Sequence, residues 1–240
     1  MYDVPVVSVI CSAARPANWF ALYASIREAN LPFELVFVGP NKPNYILPEN
    51  FRFIQTDVKP TQCVEIAARA ARGKYLFSIV DDCFFTVPDP LTKLYTCFLS
   101  YGSSKLILSC RLGQRVYPNP AFRLFERSFH LHANDADNVV YLPVNYMIEK
   151  DYWVQLRGLD TSFIAEYWDL DLCFRIVEDG GIAALSDVVL EEQFFEGIGI
   201  SSLCTTYGPI DRDITLKKLW PMFNIHNQFK RAALVIPFSD

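Results

Sequence analysis

The stretch YLFSIVDD, residues 75–82, places two aspartates directly after an apolar run long enough for one β-strand. The run is apolar at nearly every position, which is typical of a strand covered on both faces in a parallel sheet. Asp81 and Asp82 would then emerge at the carboxyl edge of that sheet, where open α/β folds bind ligands. The stretch therefore predicts a buried sheet with a binding site at one edge.

The chain before this stretch alternates strand-like runs with helix-like periodicity, which predicts βαβ units and a mostly parallel central sheet flanked by helices. The predicted strands are 6–11, 34–38, 51–55 and 75–80, and the predicted helices are 17–29 and 61–72. Gly73 follows the second helix and favours its termination there.

After Asp82 the pattern becomes less regular. It predicts helices at 88–100 and 169–179, strands at 106–110 and 183–190, regular structure over 139–149 and an irregular excursion at 117–138. Residues 207–220 are expected to form part of a lid that begins at a Gly208-Pro209 turn.

The composition excludes several classes of protein. A formal net charge of -5 offers no general basic surface, so a nucleic acid polymer is not expected as a partner. The chain carries 51% hydrophobic residues, yet neither a signal peptide nor a transmembrane segment is recognisable. Seven cysteines without a CxxC pair favour reduced thiols, and we therefore expect a cytoplasmic protein.

Asp81 and Asp82 are the first candidate site. Two adjacent carboxylates at a sheet edge repel each other unless a cation shares them, and hard oxygen ligands suit Mg²⁺ or Mn²⁺. A solvated turn or a helix cap explains the pair equally well at this stage.

Asp169 is the second candidate. It opens an apolar helical stripe, so its carboxylate is expected at a helix N-terminus, close to the Gly158-Leu159-Asp160 loop, where it is placed to act as a base. Asp171 faces another direction, and its spacing of four residues from Arg175 favours an ion pair within the helix.

Six short motifs occur in one order along the chain: Val7-Ser8-Val9-Ile10, Arg15-Pro16, Ala71-Arg72-Gly73-Lys74-Tyr75, Val80-Asp81-Asp82, Gly158-Leu159-Asp160 and Asp169-Leu170-Asp171-Leu172. This order resembles that of the family 2 glycosyltransferases, which have the GT-A fold. The resemblance covers roughly residues 6–181.

The resemblance implies a single Rossmann-like α/β domain over residues 1–240, with a nucleotide-sugar half at about 1–99 and an acceptor half at about 100–240. It implies inverting transfer of a sugar from a nucleoside diphosphate sugar to a hydroxyl of a glycan or other acceptor. Asp81 and Asp82 would hold Mn²⁺ or Mg²⁺ on the diphosphate, Asp81 would also touch the donor, and Asp169 would be the general base.

The chain departs from the family pattern at three places. Cys83 stands where the family usually has the last aspartate of its DXD motif, and thiolate is a poor ligand for a hard cation, which leaves metal dependence in question. Trp168 replaces a glutamate and is expected to stack on the sugar. Gly39-Pro40 replaces an acidic pair that often helps to hold the base and ribose, and Asn41 is the candidate substitute.

Further candidates for the donor and metal sites follow from position. Ser12 and Arg15 lie in the first loop of the nucleotide half, where a base or phosphate contact is expected, although a surface role for Arg15 fits as well. His226 is placed by order to be a late metal ligand, with a structural role in an aromatic-rich tail as the alternative.

Three functions are therefore weighed. The first is the inverting glycosyltransferase. The second is a sugar- or nucleotide-binding domain with impaired catalysis, which Cys83 and Trp168 favour. The third is a sugar nucleotidyltransferase, which predicts a glycine-rich phosphate loop after the first strand, whereas residues 12–16 contain no glycine.

Overall fold

The backbone forms strands and helices in alternation through most of the chain. The computed structural model describes residues 4–117, 122–125, 128–130, 139–141, 145–195 and 202–223. The strands among them are β1 (Val7–Ser12), β2 (Phe33–Gly39), β3 (Phe51–Gln55), β4 (Tyr75–Val80), β5 (Cys83–Phe85), β6 (Leu106–Tyr117), β7 (Phe122–Phe125), β8 (Ser128–His130), β9 (Val139–Tyr141), β10 (Tyr146–Glu149) and β11 (Ile182–Phe195). The helices are α1 (Trp19–Ile26), α2 (Pro60–Ala70), α3 (Pro90–Ser100), α4 (Lys150–Gln155), α5 (Trp168–Glu178) and α6 (Ser202–Phe223).

A nine-stranded sheet occupies the centre in the order β3-β2-β1-β4-β10-β6-β11-β5, with β7 paired to β6. β1 pairs in parallel with both β2 and β4, and β2 pairs in parallel with β3. The ends of these four strands therefore meet at one carboxyl edge, which is where Asp81 emerges after β4. The prediction of parallel pairing is confirmed for these four strands.

The second half of the sheet contains a reversal. β10 is antiparallel to both of its neighbours, β4 and β6, and β6 then pairs in parallel with β11. The short strand β5, which begins one residue after Asp82, turns back and pairs antiparallel with β11. The residues that follow the acidic pair therefore lie against β11.

The two faces of the sheet bury separate apolar cores. Successive residues of a strand point to opposite faces, so Val9 belongs to one core and Ile10 to the other. Residues of α1 and α3 cover the first face, and residues of α2, α4 and α5 cover the second. Because both faces are covered, β1, β2 and β4 are apolar at consecutive positions, as the sequence predicts.

Several predicted boundaries need correction. β6 and β11 extend well beyond 106–110 and 183–190 because they pair with each other over most of their length, so Glu191 and Glu192 lie inside a strand rather than after it. The excursion predicted at 117–138 contains the short strands β7 and β8 where the structure describes it.

The predicted turn at Gly208-Pro209 is wrong, because α6 runs through both residues. A Cβ at position 208 would lie 2.7 Å from Glu166 Oε2, so glycine permits close packing of the helix on the segment that contains Glu166. Tertiary contact overrides the local preference for a turn. No helix in the part of the chain that the structure describes has the length and apolar character of a membrane span.

Candidate functional site

Asp81 organises the loop that follows β1. Its carboxylate is buried at 1% exposure and accepts hydrogen bonds from the backbone N–H groups of Ala14 (2.8 Å) and Arg15 (2.6 Å). The Arg15 guanidinium approaches Asp81 Oδ1 with Nε at 2.8 Å and Nη2 at 2.6 Å, and the Trp19 indole N–H lies 3.5 Å from Oδ2. Both carboxylate oxygens therefore serve the fold of the first loop.

Asp82 has a different environment. Arg15 Nη1 lies 2.5 Å from its Oδ2, whereas its Oδ1 is buried and has no hydrogen-bond partner in the described structure. Burial raises the pKa of Asp82, an effect that Arg15 partly opposes and the neighbouring Asp81 charge reinforces. A buried carboxylate oxygen without a donor is costly, and a cation would satisfy it.

Glu192 and Cys83 lie beside Asp82. The antiparallel register of β5 and β11 pairs Cys83 with Glu192, and one ligand atom from each of Asp82, Cys83 and Glu192 lies within 4.8 Å of the others. Burial raises the pKa of the Cys83 thiol well above its usual value, and the charges of Glu192 and Asp82 add to the shift. The carboxylates of Asp82 and Glu192, the first with its open Oδ1, form a donor set that fits a divalent cation. The Cys83 thiol is the soft member of this set.

The other predicted donor-site residues gather at the same edge. Ser12 ends β1 between Val38 and Val80 of the adjacent strands. Asn41 follows β2 and donates a hydrogen bond through Nδ2 to the Ala14 carbonyl at 2.6 Å, so it braces the loop that contains Arg15. Only glycine fits at position 39, because a Cβ there would lie 1.9 Å from the Ala13 carbonyl oxygen.

Asp169 lies on a separate element, in the first turn of α5. The helix follows Tyr167, whose left-handed backbone (φ 63°) turns the chain, and Asp169 Oδ1 accepts a hydrogen bond from the Leu170 N–H at 2.8 Å. Trp168 is partly buried against the second core. Burial raises the pKa of the Tyr146 phenol well above its usual value, and the charge of Asp169 raises it further.

Asp171 takes the structural role that its spacing predicts. It is fully buried, and Arg175 Nε donates to its Oδ2 at 2.9 Å. The same guanidinium donates to the Leu156 and Gly158 carbonyls at 2.6 and 2.8 Å, which ties α5 to the preceding loop.

The structure brings Arg15, Asp81, Asp82 and Asn41 together at the first loop, and it places Trp168 and Asp169 on α5. His226 lies outside the described residues. The sequence favours a solvated charge for Glu192, with contact to acceptor or metal as the alternative, because its approach to Cys83 depends on the pairing of two distant strands.

Asn145 is a supporting residue that sequence reasoning missed. It is buried at 1% exposure just before β10, and its Oδ1 accepts a hydrogen bond from the Val80 N–H at 3.1 Å. Its carbonyl oxygen accepts another from the Cys110 N–H at 2.9 Å. Asn145 thus fixes the backbone directly before the acidic pair, a role with no motif to signal it.

Known proteins resemble this chain in structure rather than in sequence. No protein-family model and no curated protein sequence matches it. The structure of S. aureus TarS 1-349 aligns over 78% of this chain and 60% of its own, with a TM-score of 0.57 and 13% identity. GalNAc-T7 in complex with UDP, GalNAc and Mn²⁺ aligns over 96% of this chain and 52% of its own, with a TM-score of 0.67 and 11% identity.

This chain thus spans little more than half the length of either protein. Both neighbours are glycosyltransferases of the GT-A kind. The extent of the structural match confirms the predicted α/β fold class, with helices on both faces of a mixed sheet. The chain has a GT-A-like α/β fold.

Proposed function

We propose that this chain is an inverting glycosyltransferase that moves a sugar from a nucleoside diphosphate sugar to a hydroxyl of a glycan or other acceptor. The observation that carries the proposal is the buried Asp82 Oδ1, which has no hydrogen-bond partner among the described residues and lies beside Glu192 at the carboxyl edge of a GT-A-like sheet. The family 2 resemblance of the acidic motifs supports the same reading. GalNAc-T7, which shares the fold, is seen with UDP and Mn²⁺, and we extend a diphosphate donor and a divalent cation to this chain.

Asp82 and Glu192 would hold the cation, Mn²⁺ or Mg²⁺, with Cys83 at the edge of the donor set. When bound, the cation would neutralise the negative charge of the diphosphate leaving group. This assignment moves the metal role from the Asp81-Asp82 pair to Asp82, because both oxygens of Asp81 are engaged by Arg15 and the first loop. Mn²⁺ tolerates a mixed ligand set better than Mg²⁺, which demands near-ideal oxygen geometry.

The first loop would receive the donor. Asp81 holds this loop in place, and the half-exposed guanidinium of Arg15 lies where it can approach a phosphate. Ser12 and Asn41 end neighbouring strands at the same edge and would contact the nucleoside, and Trp168 would stack on the sugar. Residues of about 1–99 form this nucleotide half in our proposal, and about 100–240 supply the acceptor half.

Asp169 would act as the general base. Its position in the first turn of α5 places a carboxylate at the positive end of the helix dipole. The base takes the proton of the acceptor hydroxyl as the oxygen attacks the sugar carbon on the face opposite the diphosphate, which inverts the configuration.

An impaired sugar- or nucleotide-binding domain is the second candidate. The observation that favours it is the buried Cys83 thiol in the metal cluster, because a protonated thiol is a poor ligand for a hard cation. Such a domain would bind the donor and release no diphosphate from it.

A reducing compartment such as the cytoplasm is part of the proposal. Every cysteine whose side chain the structure describes is a free thiol, and all but Cys97 are buried.

The decisive experiment is calorimetric titration of UDP, GDP and dTDP and their sugars, each with Mn²⁺ and with EDTA. We expect one nucleotide class to bind in a metal-dependent way and Asp82→Asn to weaken that binding by about 10-fold or more. Asp187→Asn, an exposed position on the same sheet, is the matched control and should bind like the wild type. Absence of binding by the wild type to every nucleotide would contradict the proposal.

Turnover then separates the two candidates. Asp169→Asn should bind the donor normally and lose about 100-fold or more in transfer rate, as expected for removal of a general base. Undiminished turnover in this variant would remove Asp169 from the base role. Donor binding without turnover in the wild type would favour the impaired domain.

A further inference from the structure

One face of α6 carries three polar side chains towards the segment that precedes α5. Asp211, Thr215 and Lys218 are spaced four and three residues apart, so they lie on the same side of the helix. Asp211 and Thr215 are fully buried, and the Thr215 hydroxyl donates to the Asp211 carbonyl oxygen at 2.9 Å. A buried polar stripe on a helix has to be matched by partners on the element it covers.

The partners of the Asp211 carboxylate are the N–H groups of three consecutive backbone residues. Its Oδ1 accepts a hydrogen bond from the Ile164 N–H at 2.9 Å. Its Oδ2 accepts two more, from Ala165 at 2.7 Å and Glu166 at 2.9 Å. A carboxylate that accepts three N–H donors inside the protein fixes the path of that backbone far more tightly than apolar packing alone would.

The anchored segment leads directly into the proposed catalytic turn. Glu166 is followed by Tyr167, whose φ of 63° turns the chain, and α5 then begins at Trp168. The Asp171 N–H donates to the Tyr167 carbonyl at 3.0 Å, which closes the turn that contains Asp169. The position of Asp169 therefore depends on where residues 164–166 are held.

Lys218 secures the same segment on both sides of the Asp211 contacts. Its Nζ lies 2.7 Å from Asp160 Oδ2 and 2.6 Å from Asp171 Oδ1. It also stands 5.7 Å from the centre of the Phe163 ring. Asp171 is fully buried, so this pair is shielded from solvent on one side.

We infer that Asp211 is a positioning residue for the general base, and that α6 braces residues 160–171 so that Asp169 meets the acceptor hydroxyl in a reactive geometry. The inference rests on the proposed function, because Asp169 has no base role without it. Asp211 does not touch the substrate in this account. It acts through the backbone of residues 164–166, and Lys218 supports it through Asp160 and Asp171.

The test compares Asp211→Asn in two backgrounds, wild type and Asp169→Asn. The assay measures UDP released from UDP-N-acetylgalactosamine with Mn²⁺ at saturating donor, and calorimetry measures UDP binding. An amide keeps one acceptor oxygen and replaces the other with an NH2 group, which cannot accept the backbone N–H donors, so the three-bond anchor is broken at nearly constant volume. We expect kcat to fall about 10-fold or more in the wild-type background, with UDP affinity unchanged, since small displacements of a reacting group are costly.

The Asp169→Asn background decides between positioning and general stability. If Asp211 acts through Asp169, the second substitution should lower the residual rate by less than about 2-fold, because residues that act as a unit are not additive. An equal loss in both backgrounds would overturn the inference and leave the proposed function intact. If GDP or dTDP binds in place of UDP, the same comparison uses the sugar of that nucleotide. No turnover and no binding of UDP, GDP or dTDP by the wild type would overturn the proposed function and, with it, this inference.

Matched controls come from the exposed side of the same helix. Asp213→Asn should leave both kcat and UDP affinity as in the wild type. If Asp211→Asn does not fold, the same two-background comparison is made with Lys218→Met, for which Lys217→Met is the control. A Lys218→Met variant with wild-type kcat would then overturn the inference.

Discussion

At the scale of single residues, Gly158 shows how the backbone dictates an amino acid. Its φ is +69°, and a Cβ at this position would lie 2.2 Å from Glu65 Oε1. Glu65 is itself buried and accepts the Leu159 N–H at 2.5 Å. We expect Gly158→Ala to lower the free energy of unfolding by about 2 to 4 kcal/mol, from backbone strain together with displacement of Glu65. Urea unfolding measures the loss.

Gly102 provides the comparison for this effect. Its φ is +62°, close to that of Gly158, but a Cβ added there would meet nothing within 4 Å. Gly102→Ala should therefore cost about 1 kcal/mol, the backbone strain alone. Equal losses in the two variants would show that the contact with Glu65 contributes nothing, contrary to our reading.

At the scale of secondary structure elements, the ion pair between α6 and the loop before α5 predicts a pH dependence. Partial burial opposes the charge of Asp160, but hydrogen bonds from Lys218 and Ser162 outweigh it and lower the pKa of Asp160 to about 2. The unfolded value is about 3.9, so this contribution to stability is complete above about pH 5 and is lost as the pH falls through about 2.

Lys218→Met should remove much of this pH dependence. The difference in unfolding free energy between wild type and Lys218→Met should shrink by about 1 kcal/mol from pH 6 to pH 2, a figure discounted because Asp160 is partly exposed and screened by solvent. Urea unfolding at a series of pH values measures the difference. Lys217→Met should follow the wild-type curve, and a constant difference for Lys218→Met would contradict the assignment.

The sequence predicts those elements that form through local interactions, and it misses those that depend on contacts between distant segments. Periodicity and apolar runs locate β1, β2, β4, α2 and α5 to within a few residues, because local pattern and burial agree there. The reversed insertion of β10 and the pairing of Glu192 with Cys83 depend on contacts between distant segments. The path of α6 through Gly208 and Pro209 also depends on its docking against residues 164–166.

At the scale of the whole molecule, the sheet joins the proposed donor site to the proposed base. β4 leads into Asp81 and Asp82, and its neighbour β10 contains Tyr146, which lies close enough to Asp169 to be affected by its charge. β11 brings Glu192 to the acidic pair from the far side of the sheet. Binding at this edge should therefore stabilise the native fold as a unit.

This coupling gives the last prediction, a thermal unfolding experiment with UDP and Mn²⁺. A ligand that binds only the native state at 100 times its Kd adds about 2.7 kcal/mol to the unfolding free energy, which for a chain of this size raises Tm by about 5 to 10 °C. UDP with EDTA should give little shift. Glu192→Gln should lose the Mn²⁺-dependent part of the Tm shift, because it removes a carboxylate of the proposed metal site. Glu178→Gln, at an exposed position on α5, should keep the full Tm shift. If Glu192→Gln retained the full shift, the cation would have to be held without Glu192, and the strand pairing that brings it to Cys83 would serve the fold alone.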